Sequence, residues 1–303
     1  ATRFSIGEFN TSYNISFTDP EIAGYPFALG FDFFDETVKT TGGSDFTQQT
    51  QGAQLRLGKA LSPYVNLRTS LRYSDVDISN IGIVLHPDLR ELRDPGTTLS
   101  NMWGISRNTI DNSRDPTTGS SHGIQIEVAG FGGDNDFVKL EHDSSWYWPV
   151  GKKEKYILSF RTHQGYAIPY GDKDLVSISD RFFAGGTSTV RGYDNRDIGP
   201  KVRSLIWFGD KQAIGGEVRM INSFEVKYVA SEMIRLYGFV DSGGVWKTDN
   251  NIDLGDIKYS VGLGVGFNIP RMGPLRLDYG IPINPDGDQG SGRLHLIQSF
   301  RLF

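Results

Sequence analysis

The sequence predicts an all-β protein, a transmembrane antiparallel β-barrel. Period-2 alternation of apolar and polar residues recurs in segment after segment of its 303 residues. No apolar run approaches the roughly 18 residues of a membrane-spanning helix. Short and long connectors largely alternate, as tight turns on one side of a membrane and long loops on the other require.

Alternation locates the strands, because successive side chains of a strand point to opposite faces. About 15 segments read this way, against the even count usual for single-chain bacterial barrels. They fall near 2–7, 9–18, 24–35, 49–61, 64–76, 98–108, 120–130, 136–147, 154–165, 177–184, 214–229, 234–246, 256–269, 274–283 and 292–303. In the fifth, Leu67, Thr69, Leu71 and Tyr73 oppose Asn66, Arg68, Ser70 and Arg72. In the eleventh, Val218, Met220, Asn222, Phe224, Val226 and Tyr228 oppose Glu217, Arg219, Ile221, Ser223, Glu225 and Lys227. In the thirteenth, Tyr259, Val261, Leu263, Val265 and Phe267 oppose Ser260, Gly262, Gly264, Gly266 and Asn268. A face of charges, amides and glycines suits a wide, wet lumen.

Short connectors are expected at Ser62-Pro63, Gly132 to Asn135, Gly151-Lys152, Ala230 to Met233 and Arg271 to Gly273. Long ones are expected at Glu36 to Gln48, Ser79 to Gly96, Asp111 to Gly119 and about Gly185 to Gln212. Trp146, Tyr147, Trp148 and Trp246, near strand ends, fit aromatic girdles. No repeat of the kind propellers or solenoids need is visible.

Composition narrows the function. Mean hydropathy is -0.34, as strands with one lumen-facing side require. The net charge of -5 leaves no footprint for nucleic acid. No cysteine is present, so disulfides, thiolate metal sites and cysteine nucleophiles are excluded. His86, His122, His142, His163 and His295 are scattered without metal-ligand spacing. No G-x-S-x-G elbow occurs. Gly262-x-Gly264-x-Gly266 reads as a small-residue strand face, not as a phosphate loop. Asn284, Asp286 and Asp288 approach calcium-loop spacing, but no glutamate stands at the twelfth position. No enzymatic activity, cofactor or metal is expected.

One connector carries a longer signature. Phe182-Phe183-Ala184-Gly185-Gly186-Thr187-Ser188-Thr189-Val190-Arg191-Gly192-Tyr193 is followed by Ile198-Gly199-Pro200. Ser223-Phe224-Glu225, Val240-Asp241-Ser242-Gly243-Gly244-Val245-Trp246 and Met272-Gly273-Pro274-Leu275-Arg276-Leu277-Asp278-Tyr279-Gly280 follow in order. Together these segments resemble the barrel domain of the BamA superfamily of outer-membrane protein assembly factors. The loop stretch matches the F-x-A-G-G-x-x-x-V-R-G-[FY] pattern throughout.

The resemblance implies a 16-strand barrel occupying 1–303 as one domain. The first strand and the periplasmic repeats that precede such barrels are expected to lie outside this chain. It implies that the loop at about 185–212 folds inward, presenting Gly185, Gly186, Val190, Arg191, Gly192 and Tyr193 to the inner wall. Arg191 would dock on Glu225 and Asp241, since a guanidinium fork suits carboxylates. Glu225 sits on the polar face of its strand. Asp241 is ambiguous, sharing parity with Arg235 but also with Tyr237 and Phe239. On spacing and parity alone, ordinary lumen charges and a solvated arginine stay open.

The last strand would form a seam, with Leu294, Leu296, Phe300 and Leu302 on one face, interrupted by Gln298. Phe303 takes the opposite parity, and the glycine the family often places near Ser299 or Phe300 is absent. By resemblance, the function is folding and insertion of β-barrel proteins through a seam between first and last strands. The implied partners are unfolded outer-membrane β-barrel polypeptides, accessory lipoproteins, periplasmic chaperones and the lipid bilayer, in a Gram-negative or organellar outer membrane. A two-partner secretion pore of the same superfamily, or a passive porin, are the alternatives.

Overall fold

The computed structural model describes residues 2–6, 10–22, 24–40, 46–79, 96–151, 155–203, 211–269, 273–286 and 291–298. Among the described residues, fourteen strands form one antiparallel sheet in which chain neighbours pair, with one exception. They are β1 (Thr2–Ile6), β2 (Asn10–Asp19), β3 (Ala28–Thr40), β4 (Phe46–Ala60), β5 (Val65–Ser79), β6 (Gly96–Asn108), β7 (Gly119–Gly133), β8 (Phe137–Val150) and β9 (Tyr156–Pro169), then β12 (Val218–Val229), β13 (Ile234–Trp246), β14 (Lys258–Ile269), β15 (Gly273–Pro282) and β16 (Arg293–Gln298). Between β9 and β12 the chain leaves the sheet, and there β10 (Lys201–Arg203) and β11 (Lys211–Ala213) form a separate hairpin. Helical structure among the described residues is limited to two short 3-10 turns, Asp249–Asn251 and Leu254–Asp256.

The faces are sorted opposite to those of a protein in water. Phe17, Phe33, Leu57, Trp103, Leu263 and Leu296 are exposed, while Glu127, Lys227, Asp241 and Asp278 are buried. Only a hydrocarbon solvent makes that arrangement favourable, with the polar alternate side chains enclosed. Residues 176–203 and 211–216 lie on the concave side. It packs on Val76 and Ile78 of β5, on Ala129, Phe137 and Ala167 of β7 to β9, and on Ile221 and Val245 of β12 and β13. Wall strands from β5 to β16 therefore curve around one inward segment.

Two expectations are corrected. The segment 177–184 is not a strand, so among the described residues fourteen sheet strands replace the expected fifteen segments. Its alternation reflects burial against the inner wall. Phe182 lies beneath the cations of Lys139 and Arg219, at 4.6 and 4.8 Å. Its backbone is satisfied locally, Phe182 N donating to Gly216 O at 2.8 Å and Val176 N to the Glu217 side chain at 2.8 Å. Connector length also fails to sort cleanly by edge. The turn joining β7 to β8 lies at the edge of the long loops, and segment 109–118 lies at the edge of the tight turns. That segment bends inward, where Asp115 pairs with Lys227 at 2.5 Å and Arg235 at 3.2 Å. Of the expected seam residues, Leu294 and Leu296 point outward; Phe300, Leu302 and Phe303 lie outside the described residues.

Candidate functional site in the lumen

A tight turn presents Arg191. Gly186 N donates to Val190 O at 3.1 Å, Thr189 N to Gly186 O at 3.2 Å, and Gly185 N to the Thr189 hydroxyl at 2.8 Å. Val190 is fully buried and packs in one cluster with Ala184, Tyr193, Ile198, Ile221 and Val245. Gly192 has φ 91°, a conformation that favours glycine. Its partner across the contact is Gly280 of β15: a Cβ on Gly280 would lie 2.7 Å from Gly192 N. Glycine on both sides lets the loop backbone touch the wall backbone.

The Arg191 guanidinium is 4% exposed, and Asp241 and Asp278 are 0% exposed. Nε and Nη2 donate to the two oxygens of Asp241, both at 2.7 Å, and the backbone amide of Arg191 donates to the same carboxylate at 3.1 Å. Nη1 donates to Asp278 at 2.7 Å and to Glu225 at 3.1 Å. Nη2 also donates to the Ser223 hydroxyl at 3.2 Å, which itself donates to Asp241 at 2.6 Å. A second arginine completes the charge: Arg276 contacts Glu225 at 2.6 Å and Asp278 at 2.6 Å. Burial opposes the Arg191 charge, but the hydrogen bonds and charge of Asp241, with Glu225 and Asp278, raise its pKa above the ordinary arginine value. The ion therefore persists at any physiological pH.

The ambiguous parity of Asp241 now has an explanation. Phe239 and Tyr237 share its inward face because they are platforms for cations. The Arg191 guanidinium lies 3.4 Å above the Phe239 ring, and that of Arg276 lies 3.6 Å above Tyr237. Attraction to the ring face is strongest when desolvated. The inward glycines of β14 make room for this layer. A Cβ on Gly262 would collide with Phe239, one on Gly264 with the Asp278 carboxylate, and one on Gly266 would meet Tyr237 at 2.9 Å.

Tyr193 is buried against β14, its hydroxyl donating to Tyr259 O at 3.2 Å, and burial pushes its phenol up to about 12. Asn284 staples the adjoining turn, accepting from Tyr259 N and donating to Ile257 O, both at 2.8 Å. Asp286 pairs with Lys258 at 2.6 Å.

Of the expected loop residues, Arg191 meets Glu225 and Asp241, Gly185 and Gly186 shape the turn that presents it, Val190 packs on Ile221 and Val245, Gly192 touches Gly280, and Tyr193 reaches Tyr259. Leu294 and Leu296 stand apart, facing outward. Sequence reasoning missed Ser223, Asp278, Arg276 and Phe239 as members of the cluster. Asp278 was legible in part, since it shares inward parity with Arg276 and Gly280. It also missed His295, between the outward leucines of β16. His295 Nε2 accepts from Gly192 N at 2.8 Å, and Nδ1 bonds the Thr187 hydroxyl at 3.1 Å. One imidazole thereby ties the loop to the last strand.

An outward apolar wall, a charged lumen and a loop clamped inside it define an outer-membrane β-barrel with an internal arginine latch. The chain belongs to the Omp85 superfamily, whose domain matches residues 1–301. It is 28% identical over 93% of its length to the outer membrane protein assembly factor BamA of Nitratidesulfovibrio vulgaris, covering 35% of that protein. It is 25% identical over 93% of its length to BamA of Neisseria meningitidis serogroup B, covering 40%. The chain thus spans well under half the length of these relatives. Among solved structures, BamA from Haemophilus ducreyi lacking POTRA domains 1–3 superposes with a TM-score of 0.83 at 21% identity, over 95% of this chain and 61% of that one.

Proposed function

We propose that this chain is the single barrel domain of an outer-membrane protein assembly factor. It folds and inserts β-barrel proteins at a seam between the first and last strands. The observation that carries the proposal is the docked loop. Arg191 fixes it to β12, β13 and β15, and His295 fixes it to β16. A strand edge held at a defined position offers unpaired backbone groups as a template for an incoming strand. Templating lowers the cost of bare peptide groups in lipid, and the substrate's own folding supplies the free energy. The proposed partners are unfolded outer-membrane β-barrel polypeptides, with accessory lipoproteins and periplasmic chaperones delivering them. A passive porin needs a clear lumen, whereas residues 176–203 and 211–216 and the Asp115 segment both occupy this one.

Full-length protein in liposomes, given an unfolded barrel substrate, tests the proposal. Folding is expected to accelerate over empty liposomes. Equal rates with and without the protein refute it, and passage of substrate into the vesicle interior would assign a translocation pore instead.

A further inference from the structure

One connector lies on the outer face of the wall. It joins β13 to β14 at the edge of the long loops. Glycines fix which way its neighbours face. A Cβ on Gly243 would meet Val190 of the lumen loop at 2.7 Å, and one on Gly165 would meet the Phe182 ring at 2.5 Å. Gly244 and Trp246 of β13 and Tyr166 of β9 therefore have outward parity. Val218 of β12 pairs with both Trp246 and Tyr166, so the two aromatic residues share one outward row.

Trp246 is nevertheless only 3% exposed. Its indole reaches back over Gly244, where a Cβ would lie 2.6 Å from the ring, and its Nε1 donates to Asp253 O at 2.9 Å. The Tyr166 hydroxyl donates to Asp249 at 2.8 Å. The two short 3-10 turns, Asp249–Asn251 and Leu254–Asp256, are thus pinned to outward aromatic side chains. In the same segment Ile252 and Leu254 are 47% and 63% exposed. An exposed leucine means little on a surface in water. Here the surface is the lipid-facing wall. Val138 of β8 and Ile168 of β9, an outward cross-strand pair, are exposed one pleat farther toward the same edge than Tyr166.

We propose that residues 249–256 form a lipid clip, with Ile252 and Leu254 inserted just beneath the headgroups of the leaflet at the long-loop edge. Aromatic residues with one polar end gather at that depth. The polar ends of Trp246 and Tyr166 are turned to the clip, which holds it flat against the wall. The segment carries Asp249, Asp253 and Asp256 and no cation, so attraction to anionic headgroups does not hold it. Burial of its apolar side chains in hydrocarbon does. Its acids are tied back to protein, Asp249 by Tyr166 and Asp253 by the Gly255 amide at 2.8 Å. A soluble partner would have to displace lipid to reach the clip.

The chain contains no cysteine, so single nitroxide-labelled cysteines report their surroundings. In full-length, otherwise cysteine-free protein in liposomes, I252C and L254C should be more accessible to oxygen than to a water-soluble nickel chelate. Their accessibility ratio should match that of L263C, on the outward face of β14. It should exceed that of S113C, exposed in the 109–118 segment, by about tenfold. A ratio equal to that of S113C overturns the inference. So do labels shielded from both reagents, as contact with a second copy would give. Because both side chains are exposed, I252D/L254D removes lipid burial without opening a core. In liposomes it should speed exchange of the Trp246 indole proton by about tenfold. Unchanged exchange at Trp246 would equally overturn the inference.

Discussion

Two arginine forks in one barrel show what turns an ion pair into a clamp. On the β3–β4 wall, Arg56 grips Asp32 through Nε and Nη2, with the arginine 39% exposed. On the β12–β15 wall, Arg191 grips Asp241 in the same bidentate manner, but it is 4% exposed and also reaches Asp278 and Glu225. Exposed pairs contribute about 0–1 kcal/mol. Breaking a buried pair strands the remaining charges and costs about 3–5 kcal/mol. Arg191→Ala should therefore release the loop, seen as lost hydrogen-exchange protection from Gly186 to Tyr193. Arg56→Ala should leave thermal stability within about 1 kcal/mol of the parent. Arg191→Lys keeps the charge but loses the fork, and should fall between Arg191→Ala and the parent. Retained loop protection in Arg191→Ala would erase the distinction between the two walls.

The next test asks whether the space around the clamp matters as much as its charges. Gly264 faces Asp278 so closely that any Cβ overlaps the carboxylate. Gly264→Ala should displace Asp278 from Arg191 and cost about 1–3 kcal/mol, as overpacking does. Gly123, an inward glycine of β7 with no neighbour within 4 Å of its Cβ position, is the control. Equal melting temperatures for Gly264→Ala and Gly123→Ala would show that the glycines of β14 are not spacers.

Strand alternation alone makes most of the wall legible, because a two-faced sheet writes its period into the sequence. Arg191, Glu225 and Asp241 were legible through the motif. The rest of the cluster was not, for a physical reason. Phe239 and Tyr237 look lipid-facing by composition, and only their cations show why aromatic rings belong inside. Segment 177–184 misled in the reverse way: its period records burial beside the wall, and nothing in the residues distinguishes that from a ladder. His295 gave no signal beyond inward parity, since its partner is a backbone amide 103 residues away.

A smaller effect tests how far the clamp extends. His295→Leu leaves Gly192 N without its acceptor and should cost about 1 kcal/mol, the usual net worth of one hydrogen bond. Its signature is placement, not magnitude. Exchange at Gly192 and in β16 should quicken together while Arg191 stays docked. Faster exchange at Gly192 with β16 unchanged would confine the clamp to β12, β13 and β15.

The most local effect concerns a carboxylate held without any cation. Asp111, in the 109–118 segment, accepts from the Thr117 hydroxyl at 2.6 Å and from the amides of Thr117 and Thr118 at 2.9 and 3.1 Å. Slight burial opposes its charge, but these hydrogen bonds prevail and hold the carboxyl at about 2, below its ordinary 3.8. A depressed folded-state pKa means stabilisation that is complete above the ordinary value and is lost as pH falls toward the folded one. The turn should stay closed at pH 5 and loosen between about pH 4 and pH 2. The Thr117 amide shift in detergent-solubilised protein reports this directly, with Asp111→Asn as the reference. A Thr117 amide that does not move across that window would show that hydroxyl and amide donors leave this carboxylate unperturbed. Burial beside cations, as at Arg191, would then be the arrangement that matters in this lumen.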